Sequence, residues 1–110
     1  MIDQTVRDIE FQIQTSKNLT SSQKQILQEL VESLKKEVLQ LSRTHREAAD
    51  SIANFVRLTA GEGLKEPRNP KLFQIAVTGI NASVEKFEVS HPALTLTVNN
   101  FCTYFSNLGI

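Results

Sequence analysis

"HPALTLTVNNFCTYFSNLGI", residues 91–110, is the stretch on which the fold turns. Its β-branched Thr95, Thr97, Val98 and Thr103 would suit a strand. Its apolar spacing does not. Leu94, Val98, Phe101, Phe105 and Leu108 recur at intervals of four, three, four and three, which is one stripe of an amphipathic helix. The ends agree. Ser90 or His91 stands at the cap position, and Pro92 falls in the first turn, where a missing N–H costs nothing. Gly109 is placed to take the left-handed conformation after the last turn, with Ile110 folding back onto Phe105.

Working back along the chain, the same grammar repeats. Pro67 and Pro70 disfavour helical geometry at Glu66 and Asn69, and Asn69 followed by Pro70 is a helix start. The helix from there carries Leu72, Ile75, Ala76, Gly79, Ile80, Ser83, Val84 and Phe87 as its inner face. Gly79 in that stripe costs about 1 kcal/mol against Ala, so it is expected to admit a close neighbour. Thr44 with Glu47 has capping-box spacing and starts the preceding helix. Its inner face is Ala48, Ile52, Phe55 and Val56, and it should end between Ala60 and Glu66. Thr20 with Gln23 is a second capping box. It opens a helix with the seam Leu27, Val31, Leu34, Val38 and Leu41. Ile2, Val6, Ile9 and Ile13 stripe a shorter first helix, with Phe11 off the stripe. The expected fold is all-α: an antiparallel bundle of four long helices plus a shorter N-terminal helix, in one domain over residues 1–110.

Composition narrows the function classes. Twelve basic and twelve acidic residues give a formal net charge of zero. A nucleic-acid binder usually carries a basic excess, and a protein held to a membrane surface by charge needs a polybasic face. Neither partner is expected. The N-terminus lacks a signal-peptide pattern, and no window approaches the roughly 18 apolar residues of a membrane span. One cysteine cannot form an internal disulfide, so a reducing cytoplasm is the expected compartment.

Residues with chemical potential are few. His91 could serve as a base or ligand, but it sits where a helix cap belongs. Cys102 lies on the edge of an apolar stripe, about 16 Å along the helix from His91, and a nucleophile needs a nearer base. His45 has no placement from sequence. Two histidines and one cysteine far apart in sequence do not make a metal set, and Glu85 with Glu88 reads as a solvated face. No catalytic residue, metal or cofactor is expected. Arg68 and Lys71, with Lys65 nearby, flank the prolines beside a helix N-terminus and form a candidate anion-binding loop.

The two regular seams look too extensive for one small bundle to bury. Phe101, Tyr104 and Phe105 on the last helix, and Leu27, Val31 and Leu34 on the second, are therefore candidate interface residues.

"INASVEKFEVSHPALTLTVNNFCTYFSNLGI", residues 80–110, resembles the C-terminal half of a family of small bacterial proteins of unknown function. Their pattern is an apolar helix leading to F-E-x-x-H-P-x-L, then a helix that closes with L-x-N-[ML]-G-I. Here the first motif is Phe87-Glu88-Val89-Ser90-His91-Pro92-Ala93-Leu94, and the chain closes with Ser106-Asn107-Leu108-Gly109-Ile110. The segment from about Thr44 to Glu66 departs from that family's plan. The resemblance implies a bacterial source and a helical fold, and brings no catalytic residues.

The expected function is a non-enzymatic bacterial protein–protein interaction module. It would be a homo-oligomer or a subunit of a larger complex with another bacterial protein. A regulatory or defence-associated adaptor that recruits an effector is the alternative. A ligand binder or enzyme built on His91 comes last.

Overall fold

A computed structural model describes residues 2–108. Their elements in chain order are α1 (Ile2–Thr15), α2 (Ser21–Ser42), α3 (Arg46–Gly63), α4 (Pro70–Val84), a 3-10 turn (Glu85–Phe87) and α5 (Pro92–Ser106), with no strand among the described residues. The chain is all-α, as its periodicity requires. Among the described residues, no helix is long and apolar enough to cross a membrane.

Two helix starts follow directly from local chemistry. The Thr20 hydroxyl accepts the Gln23 N–H at 3.1 Å, and the Gln23 side chain accepts the Thr20 N–H at 2.9 Å. This reciprocal box satisfies two donors that the first turn of α2 would otherwise leave bare. At α4, the Asn69 side-chain oxygen accepts from the N–H groups of Lys71 and Leu72 at 3.0 and 3.1 Å, with Pro70 as the first helical residue.

At the other two starts a histidine holds the cap position, in place of Thr44 at α3 and as the second of the two candidates at α5. Thr44 does not cap α3; His45 holds the cap position and makes no side-chain cap bond. The reason lies in how α2 ends. The Leu41 carbonyl accepts the N–H groups of both Thr44 and His45, at 3.1 and 2.9 Å. Thr44 is thus wound into the end of α2, and its hydroxyl meets the Leu41 carbonyl and the His45 ring instead. Ser90 repeats the pattern: His91 is the cap residue of α5, and the Ser90 hydroxyl bonds its ring. The left-handed ending assigned to Gly109, with Ile110, lies outside the described residues.

The stripes bury as amphipathic faces should. Ile2, Val6, Ile9 and Ile13 of α1 face the core, as do Leu27, Val31, Leu34, Val38 and Leu41 of α2. Leu94, Val98, Phe101 and Phe105 of α5 are fully enclosed. Helix α1 packs on α2 and α3; α3 also packs on α4 and α5; α5 closes against α2 and α4. At 22 residues α2 runs about 33 Å, nearly the full 38 Å length of the molecule.

This closure corrects the expected interface. Leu27, Val31, Leu34, Phe101 and Phe105 are at most 2% exposed. Both seams are spent within the chain because α1 covers one flank and α5 pairs with α2. Tyr104 is half-buried and packs against the same core.

Helix α4 holds a second correction. Its buried face is Phe73, Ala76, Ile80 and Val84. Leu72 and Ile75, read as inner, are 44% and 60% exposed. Phe73 wins the inner register because the Arg68 guanidinium stacks over its ring at 4.3 Å. Gly63 of α3 also offers it a bare backbone to rest on. Further along, the Phe55 ring of α3 occupies the space where a Cβ on Gly79 would stand. Gly79 is the close-approach point of α3 and α4.

Candidate functional site

The Thr44-His45 and Ser90-His91 turns are 46 positions apart in sequence and meet in space. The rings of His45 and His91 stand 6.4 Å apart, nearly perpendicular, and both lie edge-on to Phe87, at 5.1 and 5.8 Å. Phe87 is buried and fixed; His45 is exposed and His91 half-buried. The two turns share one backbone shape, with φ/ψ of −138°/68° at His45 and −135°/65° at His91. In each turn the histidine N–H reaches back four residues, to the Leu41 carbonyl in one and the Phe87 carbonyl in the other. In each, the preceding hydroxyl bonds the imidazole Nδ1: Thr44 to His45 at 2.8 Å, Ser90 to His91 at 2.9 Å. Two imidazoles are therefore held by one ring nitrogen each, side by side at one end of the helices.

Nothing local in the sequence pairs these residues: His45 has no placement from its neighbours, and His91 lies far along the chain. The available signal was the repeat itself, a hydroxyl residue then histidine at two helix starts. If successive helices reverse direction, those starts lie at the same end of the molecule.

The opposite end holds Arg68, whose guanidinium turns to backbone carbonyls. Its guanidinium donates to the Gly63 carbonyl from Nε at 3.1 Å and from Nη2 at 2.6 Å, and Nη2 also reaches the Phe105 carbonyl at 2.9 Å. These carbonyls lie at the C-terminal ends of α3 and α5, where partial negative charge accumulates. Arg68 is thus a clasp between two helix ends, half-buried over Phe73, and burial lowers its pKa. Lys65 is paired with Glu62 at 2.8 Å. Lys71 is exposed beside the Asn69 cap. Of the candidate anion-binding loop, Arg68 thus spends Nε and Nη2 on helix-end carbonyls, and Lys71 is the exposed cation.

Cys102 is buried in the core, and its burial pushes the thiol pKa up to about 11. A thiol so shielded is a packing residue. Glu85 and Glu88 line a groove with Thr78, Asn81, Thr95 and Asn99, and that lining contains no histidine. Among the described residues no group of three or more histidine, cysteine or acidic side chains could enclose a metal ion.

The family model described as "Domain of unknown function (DUF4404)" matches residues 27–110. The chain belongs to this family. The DUF4404 match starts inside α2 and takes in α3, α4 and α5, so both histidine turns and the Arg68 clasp fall within it. It includes the segment from Thr44 to Glu66, which the motif-level resemblance had set apart. Helix α1 precedes the DUF4404 region. No curated protein and no solved structure matches the chain.

Proposed function

We propose that this DUF4404 protein is a non-enzymatic interaction module that associates with a second copy of itself through the outer face of α3 and α4. The supporting scaffold is an antiparallel up-and-down bundle of α2 to α5 with α1 laid across α2 and α3. Its two ends support this topology: the starts of α3 and α5 meet at the histidines, and their finishes meet at Arg68.

The observation that carries the proposal is an apolar strip beside the Gly79 close approach of α3 and α4. Leu58, Leu72 and Ile75 are 48%, 44% and 60% exposed. Phe55 sits on Gly79; Leu58 is one turn beyond Phe55, and Ile75 one turn before Gly79. In antiparallel neighbours those two side chains stand together, and Leu72 extends the strip by a further turn. Isolated apolar residues on a surface are ordinary, but a strip across two packed helices suits a partner. A second copy fits it well, because a chain of zero net charge does not repel itself, and a two-fold interface sets the same strip against itself. A bacterial cytoplasm is the setting we assign to it.

Sedimentation of Ile75→Glu tests this. The charge should shift the protein to monomer, whereas Leu96→Glu, at an exposed α5 position away from the strip, should leave assembly intact. Equal behaviour of the two variants would refute the α3/α4 interface.

A further inference from the structure

We infer that His45 and His91 form a two-histidine site for a divalent transition-metal ion of the zinc, copper and nickel class. Imidazole nitrogen is the common protein ligand for these ions. Three features of the pair go beyond proximity.

The first is spacing. With metal–nitrogen bonds of about 2.0–2.1 Å, the centres of two rings on one ion lie about 5–6 Å apart. The rings stand at 6.4 Å, and the exposed His45 ring can close the remaining few tenths of an ångström. The second is which nitrogen is engaged. Both histidines spend Nδ1 on a neighbouring hydroxyl, and neither Nε2 has a hydrogen-bond partner among the described residues. A metal-binding histidine is typically oriented in this way, by a hydrogen bond at its other nitrogen. The Thr44 hydroxyl also points at the Leu41 carbonyl, 3.4 Å away. When it donates there, His45 Nδ1 must carry the ring proton and Nε2 holds the free lone pair. The third is that neither side chain caps its helix. Two residues occupy positions favoured by Ser, Thr, Asp and Asn without supplying the bond those residues would.

The surroundings set selectivity. The N-terminal ends of α3 and α5 carry partial positive charge, and the Lys86 ammonium lies over the Phe87 ring at 5.2 Å. Glu47 in the first turn of α3 offsets part of that charge, so the ion is held chiefly by coordination to imidazole. That excludes magnesium and calcium, which need oxygen ligands, and favours ions that bind imidazole strongly, with copper and nickel ahead of cobalt and manganese. Water would complete the coordination sphere, leaving the ion open on one side.

Calorimetric titration of the whole chain with zinc, nickel and copper chlorides tests the inference. Asn is a strong helix cap, so His45→Asn and His91→Asn keep the fold, which circular dichroism verifies. The expected result is one ion per chain, with affinity reduced about tenfold or more in each variant and no heat with magnesium or calcium. Binding that survives either substitution within about twofold would mean single-imidazole attachment and overturn the site. One ion per two chains, or no binding at millimolar metal, would overturn it equally.

Discussion

Arg68 and Phe105 are 37 residues apart in sequence, and the guanidinium of one holds the backbone carbonyl of the other at 2.9 Å. The same guanidinium grips Gly63 through two nitrogens. One side chain from the linker between α3 and α4 therefore ties the finish of α3 to the finish of α5. It satisfies carbonyls that a helix cannot satisfy from within.

Replacing Arg68 with Ala should lower stability by about 2–4 kcal/mol, since hydrogen bonds to a charged group are worth roughly 1.5–3 kcal/mol each and do not add fully. Arg68→Lys should recover little of this. An ammonium is a point donor and cannot span two carbonyls while stacking on Phe73. Urea unfolding of the three proteins would show it as a lower midpoint with an unchanged slope. An unaffected midpoint would mean the clasp is ornamental.

Gly63 and Gly61 lie in the same last turns of α3 and should respond in opposite directions to alanine. A Cβ at Gly63 would stand 2.6 Å from Cδ1 of the enclosed Phe105 ring and 3.1 Å from Phe73. Gly63→Ala should cost about 1–3 kcal/mol as overpacking. At Gly61 the nearest atom is the Gln12 side-chain nitrogen at 3.9 Å, so Gly61→Ala should gain about 0.5 kcal/mol from reduced backbone entropy in the unfolded chain. Thermal melts of the two variants decide the signs.

The helices were legible because their signals are local. Thr20 with Gln23 and Asn69 with Pro70 need only neighbours within one turn, and the α2 and α5 seams need only their own period. What escaped the sequence depends on the other helices. Phe73 displaced Leu72 and Ile75 from the inner face of α4 because Arg68 and Gly63 built a place for its ring. Thr44 lost its cap to the winding of α2. The two seams fit within one bundle because α1 covers a flank of α2 that no local pattern reveals. The two histidine turns meet because separation along the chain sets no distance in space: the His45 and His91 rings stand 6.4 Å apart.

Cys102 should be nearly inert in the folded protein. Burial raises its pKa from 9.0 to about 11, so the thiolate that reacts is scarce near neutrality. A raised folded-state pKa means that the unfolded chain loses its proton first. This group therefore leaves stability untouched below pH 9.0, erodes it as pH rises toward about 11, and adds no further loss beyond. Labelling with a thiol reagent at neutral pH should track unfolding in denaturant, and Cys102→Ser should remove the alkaline component. Rapid labelling of the native protein would contradict this burial.

Whether the α3/α4 strip joins two copies is decided by molar mass from light scattering across a concentration series. The chain weighs 12.3 kDa. The mass should rise to twice that value and stop there, as a closed two-fold interface requires. A mass fixed at 12.3 kDa up to the highest attainable concentration would contradict it and leave Leu58, Leu72 and Ile75 without a partner copy.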